Sequence, residues 1–355
     1  MEAGSWRVHV RMNETILVTG GAGFIGSNFV LEWIAAGGRV VNLDLLTYAG
    51  NLTNLASISG NPRHIFVEGD ICDAQLVGAL LRKHAPRAIV HFAAESHVDR
   101  SISGPDVFVR TNVLGTGILL EQARGYWSQL DQEAQRNFRF LHVSTDEVYG
   151  WLGPEDPPFE ETALYAPSSP YAASKAGADH LVRAWFRTYG LPAIITNCSN
   201  NYGPFQFPEK LIALTITNAI EGRPLPVYGD GLQVRDWIYV VDHCAAIRAV
   251  LERGRPGETY NIGGNSERVN LEVVTAICSL VDELRPAPLM GPRAKLIDFV
   301  PDRPGHDRRY SLDTAKITNE VGWEPVVDFK TGLRKTVEWY LENMRWVESA
   351  LAKRS

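Results

Sequence analysis

Two short segments carry groups that together can oxidise an alcohol and expel a neighbouring leaving group. One is Ser144-Thr145-Asp146-Glu147, which follows the apolar run Phe138–Val143, and the other is Tyr171-Ala-Ala-Ser-Lys175. A Tyr and a Lys four residues apart share one face of a helix, where the ammonium is expected to lower the phenol pKa toward neutrality and let it act as a base. Adjacent carboxyls can divide the remaining work, one protonating a departing oxygen while the other removes a proton. Taken singly, the carboxyl pair reads first as an exposed acidic turn, and the Tyr/Lys pair as a half-buried Tyr beside a solvated Lys. Their position changes the reading, because Asp146 and Glu147 come just after a strand, and open α/β sheets place ligands beyond strand carboxyl ends.

A third segment supplies the hydride acceptor. Gly20-Gly-Ala-Gly23-Phe24-Ile25-Gly26 follows the strand pattern Thr15–Thr19 and opens a helix, the setting in which glycines let a dinucleotide pyrophosphate approach a helix N-terminus. Asp44 ends the next strand, where a carboxylate can accept hydrogen bonds from an adenosine ribose and would repel a 2′-phosphate, so NAD is expected over NADP. Asp70 and Ile71, after the third strand, suit the adenine edge, although Asp70 reads nearly as well as a helix cap.

The elements that must position these groups are legible as alternation. Thr15–Thr19, Arg39–Leu43, His64–Val67, Ala88–Phe92, Phe138–Val143 and Ala193–Thr196 read as strands, with amphipathic stretches between them. That pattern predicts an α/β fold, a Rossmann-type doubly wound parallel sheet with a smaller mixed α/β C-terminal lobe. One long helix is predicted over Asp106–Tyr126, and another is capped by Ser169-Pro170 and runs to about Tyr189. The boundaries read as an N-terminal extension at 1–14, an NAD-binding domain at 15–204 and mainly a substrate lobe at 205–355, with some chain free to return to the large domain. Asn270–Leu284 and Phe329–Asn343 are expected as lobe helices. Residues 1–13 precede the first strand, and Met12 is an alternative start.

Composition excludes several classes. At 355 residues, 45% hydrophobic and with net charge −6, the chain can build a large core but has no basic stripe for nucleic acid or membrane. Its four cysteines have no metal spacing and read as free or core thiols, so no metal is expected and a reducing, cytoplasmic setting is. No run is long enough to span a bilayer and no signal peptide is evident.

Further segments complete a pattern: Asn42-Leu-Asp44, Ala93-Ala94-Glu-Ser96-His97-Val-Asp-Arg, Asn197-Cys-Ser-Asn200-Asn201-Tyr-Gly-Pro, Arg235-Asp-Trp and Asp302-Arg-Pro-Gly-His306-Asp. With the three above, over residues 15 to 345, the chain resembles the dTDP-glucose 4,6-dehydratases of the extended short-chain dehydrogenase/reductase family. The glycine turn and Tyr/Lys pair are common to the superfamily, whereas Thr145-Asp146-Glu147 is specific to 4,6-dehydratases. The resemblance implies a hydro-lyase acting on dTDP-glucose with NAD as a retained cofactor, Thr145, Asp146, Glu147, Tyr171 and Lys175 being catalytic. It implies cofactor contacts from Gly20, Gly23, Phe24, Ile25, Gly26, Asp44, Leu45, Leu46, Thr47, Asp70, Ile71, Ala93, Ala94, Ser96, Thr111 and Asn201, besides Tyr171 and Lys175. Substrate contacts are implied at His97, Thr145, Asn200, Lys210, Leu211, Pro226, Tyr228, Arg235, Asn270, Asp302 and His306, and a homodimer through the helices at 106–126 and 171–189. Arg235 also has a reading of its own, since a guanidinium fork suits a diphosphate. The competing readings are a UDP-glucose 4,6-dehydratase, a sugar-nucleotide 4-epimerase, which lacks need of the acid pair, and a silent NAD-binding sensor, which needs neither pair.

Overall fold

Alternate residues of the first strand, Ile16 and Val18 on one side and Leu17 on the other, feed two different buried clusters, so this strand must lie in a sheet covered on both faces. The computed structural model, which describes residues 14–287, 289 and 291–352, bears this out. Residues 1–13, and with them Met12, lie outside the described residues. The strands are β1 (Thr15–Thr19), β2 (Arg39–Asp44), β3 (His64–Glu68), β4 (Ala88–His91), β5 (Arg139–Thr145), β6 (Ala193–Cys198), β7 (Asn200–Tyr202), β8 (Leu225–Tyr228), β9 (Val234–Tyr239), β10 (Thr259–Ile262), β11 (Glu267–Val269) and β12 (Ile297–Val300).

Seven of them form one parallel sheet in the order β10-β6-β5-β4-β1-β2-β3. The order reverses between β1 and β4, and a crevice opens there at the carboxyl ends. Phe29, Trp33 and Ile247 pack on one face, Leu119, Leu120 and Phe140 on the other. The smaller lobe has a sheet β11-β9-β7 and a pair β12-β8, closed by the helices Leu211–Glu221, Asn270–Leu284 and Phe329–Glu342 around Ile216, Ile277 and Val337. The chain crosses between lobes more than once. β7 already pairs with β9 of the lobe, while β10 and the helices Val240–Arg253 and Ala315–Val321 return to the large core through Ile247, Ile262 and Ile317.

Two elements differ from expectation in ways that matter. β5 runs on to Thr145, so the acid pair opens a tight turn, Asp146–Tyr149, at the strand's carboxyl end. The long helix from Asp106 is not regular: Val109–Gly115 is π-helical, between α-helical Asp106–Phe108 and Thr116–Trp127. The wide turn carries Asn112, whose amide accepts from the Glu95 N–H at 2.8 Å and donates to Ser174 Oγ at 2.8 Å. That cross-link between the β4 loop and the Tyr171 helix accounts for a bulge that periodicity does not reveal.

Candidate active site

The helix Pro170–Tyr189 has the expected start and stop. Ser169 accepts from the Ala172 N–H at 3.1 Å, Pro170 occupies the first turn, and Gly190 takes the left-handed conformation at φ 73° that ends it. Tyr171, Lys175 and Asp179 are one turn apart and all buried. Across from them, Thr145 caps the turn that follows β5: its hydroxyl accepts from the Glu147 N–H at 3.3 Å and donates to Asp146 Oδ1 at 3.2 Å. The same hydroxyl is hydrogen-bonded to Tyr171. Phenol, hydroxyl and carboxyl thus form one chain of groups.

The two carboxyls are set apart electrostatically. Burial, then the charges of Glu147 and Asp236, hold the Asp146 carboxyl well above the usual carboxylate range. Its Oδ2 is buried with no partner in the protein. Burial also raises Glu147, but Lys210, Arg235 and Arg303 pull it back. Asp146 therefore keeps its proton more strongly than the neighbouring carboxyl, which ionises more readily, the division of roles that an elimination requires.

The Tyr/Lys pair corrects an expectation. Burial, then the charge of Glu147, push the Tyr171 phenol well above its ordinary value, and Lys175 does not offset this. The ammonium donates to Val143 O at 2.9 Å and lies 3.3 Å from His142 Nε2, which is itself 3.3 Å from Asp179 Oδ1. Burial brings Lys175 down to about 8.

A cleft of ≈ 450 Å³ runs from these groups in both directions, within the range that holds a bound small molecule. On the large-domain side it is lined by Gly20, Gly23, Phe24, Ile25, Gly26, Asp44, Leu45, Thr47, Asp70, Ile71, Ala93, Ala94, Ser96, Thr111 and Asn201. Gly20, at φ 73°, could not carry a side chain, since a Cβ would sit 2.6 Å from Ala93 N. A Cβ on Gly26 would meet Gly20 O at 2.2 Å, so turn and helix touch backbone to backbone. The helix Phe24–Ala35 begins at Gly23 with no side-chain cap and no acidic residue in its first turn. A dinucleotide fits this cradle: the uncapped N–H groups face the cleft and suit a pyrophosphate. Asp44, fixed by the Ala22 and Leu46 N–H groups at 2.8 Å each, suits a ribose diol.

The lobe side is lined by His97, Asn200, Lys210, Leu211, Pro226, Tyr228, Arg235, Asn270 and His306. Arg235 is buried, lies over the Tyr310 ring at 4.4 Å and donates to Asp307 O at 2.8 Å. Lys210 reaches across to Ser96 O at 2.9 Å. Asn200 Oδ1 and Asn270 Oδ1 are buried without protein partners. His97 is pushed down to about 4, chiefly by burial, and is a neutral side chain at neutral pH.

Two expected contacts are not in the lining. Leu46, at φ 53°, gives its backbone N–H to Asp44 and is not among the lining residues. Asp302 lies outside the lining and orients His306, Oδ1 to Nδ1 at 2.5 Å. Asn201 lines the cleft, but its amide is taken by Ser199 O at 3.0 Å and His243 Nδ1 at 2.8 Å. Glu95, Glu209, Arg303, Asp307 and Tyr310 line the cleft and escaped sequence reading. Glu95, Glu209, Arg303 and Asp307 adjoin residues that were singled out, which is the available signal; Tyr310 offered none.

Comparison with known proteins fits this geometry. The model of the family described as GDP-mannose 4,6 dehydratase matches residues 17–336. A dTDP-glucose 4,6-dehydratase of Xanthomonas campestris pv. campestris is 63% identical over 337 residues, covering 95% of this chain and 96% of the relative. The dTDP-glucose 4,6-dehydratase of Streptomyces venezuelae, solved with NAD and dTDP bound, superposes with TM-score 0.86 at 49% identity, covering 95% of this chain and 99% of that one. A UDP-glucose 4-epimerase of Thermotoga maritima, solved with UDP-glucose, superposes with TM-score 0.81 at 30% identity, covering 93% and 99%.

Proposed function

The chain belongs to the GDP-mannose 4,6 dehydratase family, and from that premise we propose that it converts dTDP-glucose to dTDP-4-dehydro-6-deoxy-D-glucose and water. The observation that carries the reading is Asp146: a buried acid with one partnerless oxygen, bonded through Thr145 to the phenol and followed by a second carboxyl. Oxidation at C4 alone, as in an epimerase, has no use for that acid.

Gly20, Gly23, Gly26 and Asp44 would hold NAD, which when bound would supply a hydride acceptor for C4 and a hydride donor for C6. Tyr171 removes the proton of the 4-hydroxyl; the protein alone raises this phenol, and the positive charge of an oxidised nicotinamide, when bound, would favour its ionised form. Thr145, its hydroxyl proton turned from Asp146 Oδ1 toward O4, helps polarise the ketone. The ketone acidifies the hydrogen at C5. Glu147 takes that proton and Asp146 gives its own to the oxygen on C6, which leaves as water. Arg235, Lys210 and His306 hold the diphosphate and nucleotide end, while Asn200 and Asn270 offer buried acceptors to the donor groups of the sugar and nucleoside.

Asp44 makes NAD the cofactor that this site holds. The choice of dTDP-glucose over UDP-glucose is supported by the relatives rather than by one contact. Incubation with each nucleotide sugar, followed by detection of the 4-keto product, tests it, and an equal rate on UDP-glucose would refute the thymidine preference. Two copies pair through the helices 106–127 and 170–189, where Val109 and Leu114 are 54% and 52% exposed beside Leu181. Sedimentation measures that state. The four free cysteines support a cytoplasmic setting, and among the described residues no helix is long and apolar enough to cross a membrane.

A further inference from the structure

The C-terminal helices, which no chemical step uses, reach back to the cofactor turn. Trp346, on the helix Met344–Ala352, donates its indole N–H to Asn54 Oδ1 at 2.7 Å, a contact between residues 292 apart. Asn54 is 2% exposed, and its Nδ2 donates to Ala22 O at 3.0 Å. The same carbonyl accepts the Asn51 N–H at 2.9 Å, and the Ala22 N–H is the donor that fixes Asp44 Oδ2. Ala22 is the residue inside the glycine turn. An indole only donates and a backbone carbonyl only accepts, so both bonds exist for one orientation of the Asn54 amide and a flip loses both. Trp346 therefore decides which way Asn54 faces, and Asn54 fixes the turn.

The opposite wall is tied to the same point. The Trp346 ring packs edge-on against Trp339 at 5.0 Å and Tyr340 at 6.2 Å. Tyr340 donates to Gln206 O, and Gln206 Nε2 donates to Asn201 O at 2.8 Å. One aromatic cluster thus braces the phosphate turn and the 201–206 segment across the cleft.

We propose that Trp346 is a positioning residue for cofactor retention, holding the glycine turn closed through Asn54 so that NAD stays bound through both hydride transfers. The inference rests on the redox-neutral reaction above. Loss of the reduced cofactor after the first transfer would strand a 4-ketone whose C6 has no hydride to receive, and would leave the protein without cofactor.

The test uses the full-length holoenzyme as wild type, Trp346→Phe and Trp339→Phe, with Asn54→Asp as a second route to the same bond. Trp346→Phe keeps a ring and deletes the donor; Trp339→Phe trims the same cluster without touching Asn54. Exchange of bound NAD against excess labelled NAD is followed alongside thermal melting. Trp346→Phe is expected to exchange about 3- to 10-fold faster, the effect of one hydrogen bond. Without added cofactor it also loses activity as it turns over, releases reduced nicotinamide and recovers on adding NAD. Asn54→Asp, which places an acceptor against Ala22 O, exchanges at least as fast. Trp339→Phe lowers the melting temperature without faster exchange. Exchange by both Trp346→Phe and Asn54→Asp within twofold of wild type, or equal acceleration by Trp339→Phe, overturns the proposal while leaving the reaction intact. A wild-type protein that carries no NAD and forms no 4-keto sugar overturns the reaction and this proposal with it.

Discussion

Replacing Asp146 with Asn separates the acid step from everything before it. The amide keeps Oδ1 as an acceptor for the Thr145 hydroxyl, now at 3.2 Å, and substitutes NH₂ for the protonated Oδ2, which has no partner to lose. Because burial and the neighbouring carboxyls favour the protonated form of Asp146, the amide mimics that form. What disappears is a transferable proton. A general acid contributes roughly 10²–10⁴-fold, or about 3–5 kcal/mol of barrier at about 1.36 kcal/mol per tenfold. Oxidation at C4 remains possible while loss of water slows by that factor, so Asp146→Asn mixed with dTDP-glucose accumulates enzyme-bound reduced nicotinamide, visible by near-ultraviolet absorbance. Tyr171→Phe lacks the first base and accumulates none. Equal accumulation by both variants, or an Asp146→Asn rate within tenfold of wild type, refutes the assignment.

The same variant has a stability signature with a definite sign. Asp146 has a raised pKa in the fold and an ordinary value of 3.8 in the unfolded chain. The folded state therefore binds more protons between those values, and stability is lost as pH rises from the lower toward the higher one. The slope from this one group reaches about 1.36 kcal/mol per pH unit. Asp146→Asn removes it, so in denaturant titrations carried upward from the ordinary value of 3.8 the variant gains on wild type as pH rises. A constant difference means that the fold does not raise the Asp146 pKa.

Two further outcomes probe the cofactor and the whole cycle. The purified protein carries NAD(H), and Asp44→Ser narrows its preference over NADP because the charge that repels a 2′-phosphate is gone; recovery of NADP(H) from the wild type contradicts this reading. Substrate deuterated at C4 yields product with deuterium in the C6 methyl group, while solvent supplies hydrogen at C5 through Glu147. Label retained at C4 means epimerisation, and label released on nicotinamide means simple dehydrogenation.

The fold was legible because β-strands and helices here obey their periods: β1 sends Ile16 and Val18 one way and Leu17 the other, and the Pro170–Tyr189 helix carries both its cap and its glycine stop. The glycine turn and Asp44 were legible for a local reason, since each acts within a few residues of a strand end. What sequence could not give is direction. Spacing places Tyr171 and Lys175 on one face, yet the ammonium's partner is a carbonyl of β5, thirty-two residues earlier, and that choice belongs to the sheet. The π turn at Val109–Gly115 is likewise invisible to a 3.6-residue period, because its cause is the Asn112 bridge to Glu95 and Ser174.

The two carboxyls show how far local reading reaches. Adjacent in sequence, Asp146 and Glu147 are chemically alike, and nothing in the chain around them says which is the acid. Their difference comes from surroundings assembled by distant segments: burial, Glu147 and then Asp236, on β9, raise Asp146, while the rise that burial gives Glu147 is partly offset by Lys210, Arg235 and Arg303. Those three cations also line the cleft. When an anionic substrate binds there it partly neutralises them, their hold on Glu147 weakens, and its carboxylate becomes a stronger base when C5 is presented to it. Substrate binding and base strength are in that way coupled through the same guanidinium and ammonium groups, so neutralising Arg235 or Lys210 should reach beyond affinity into the rate of C5 exchange with solvent.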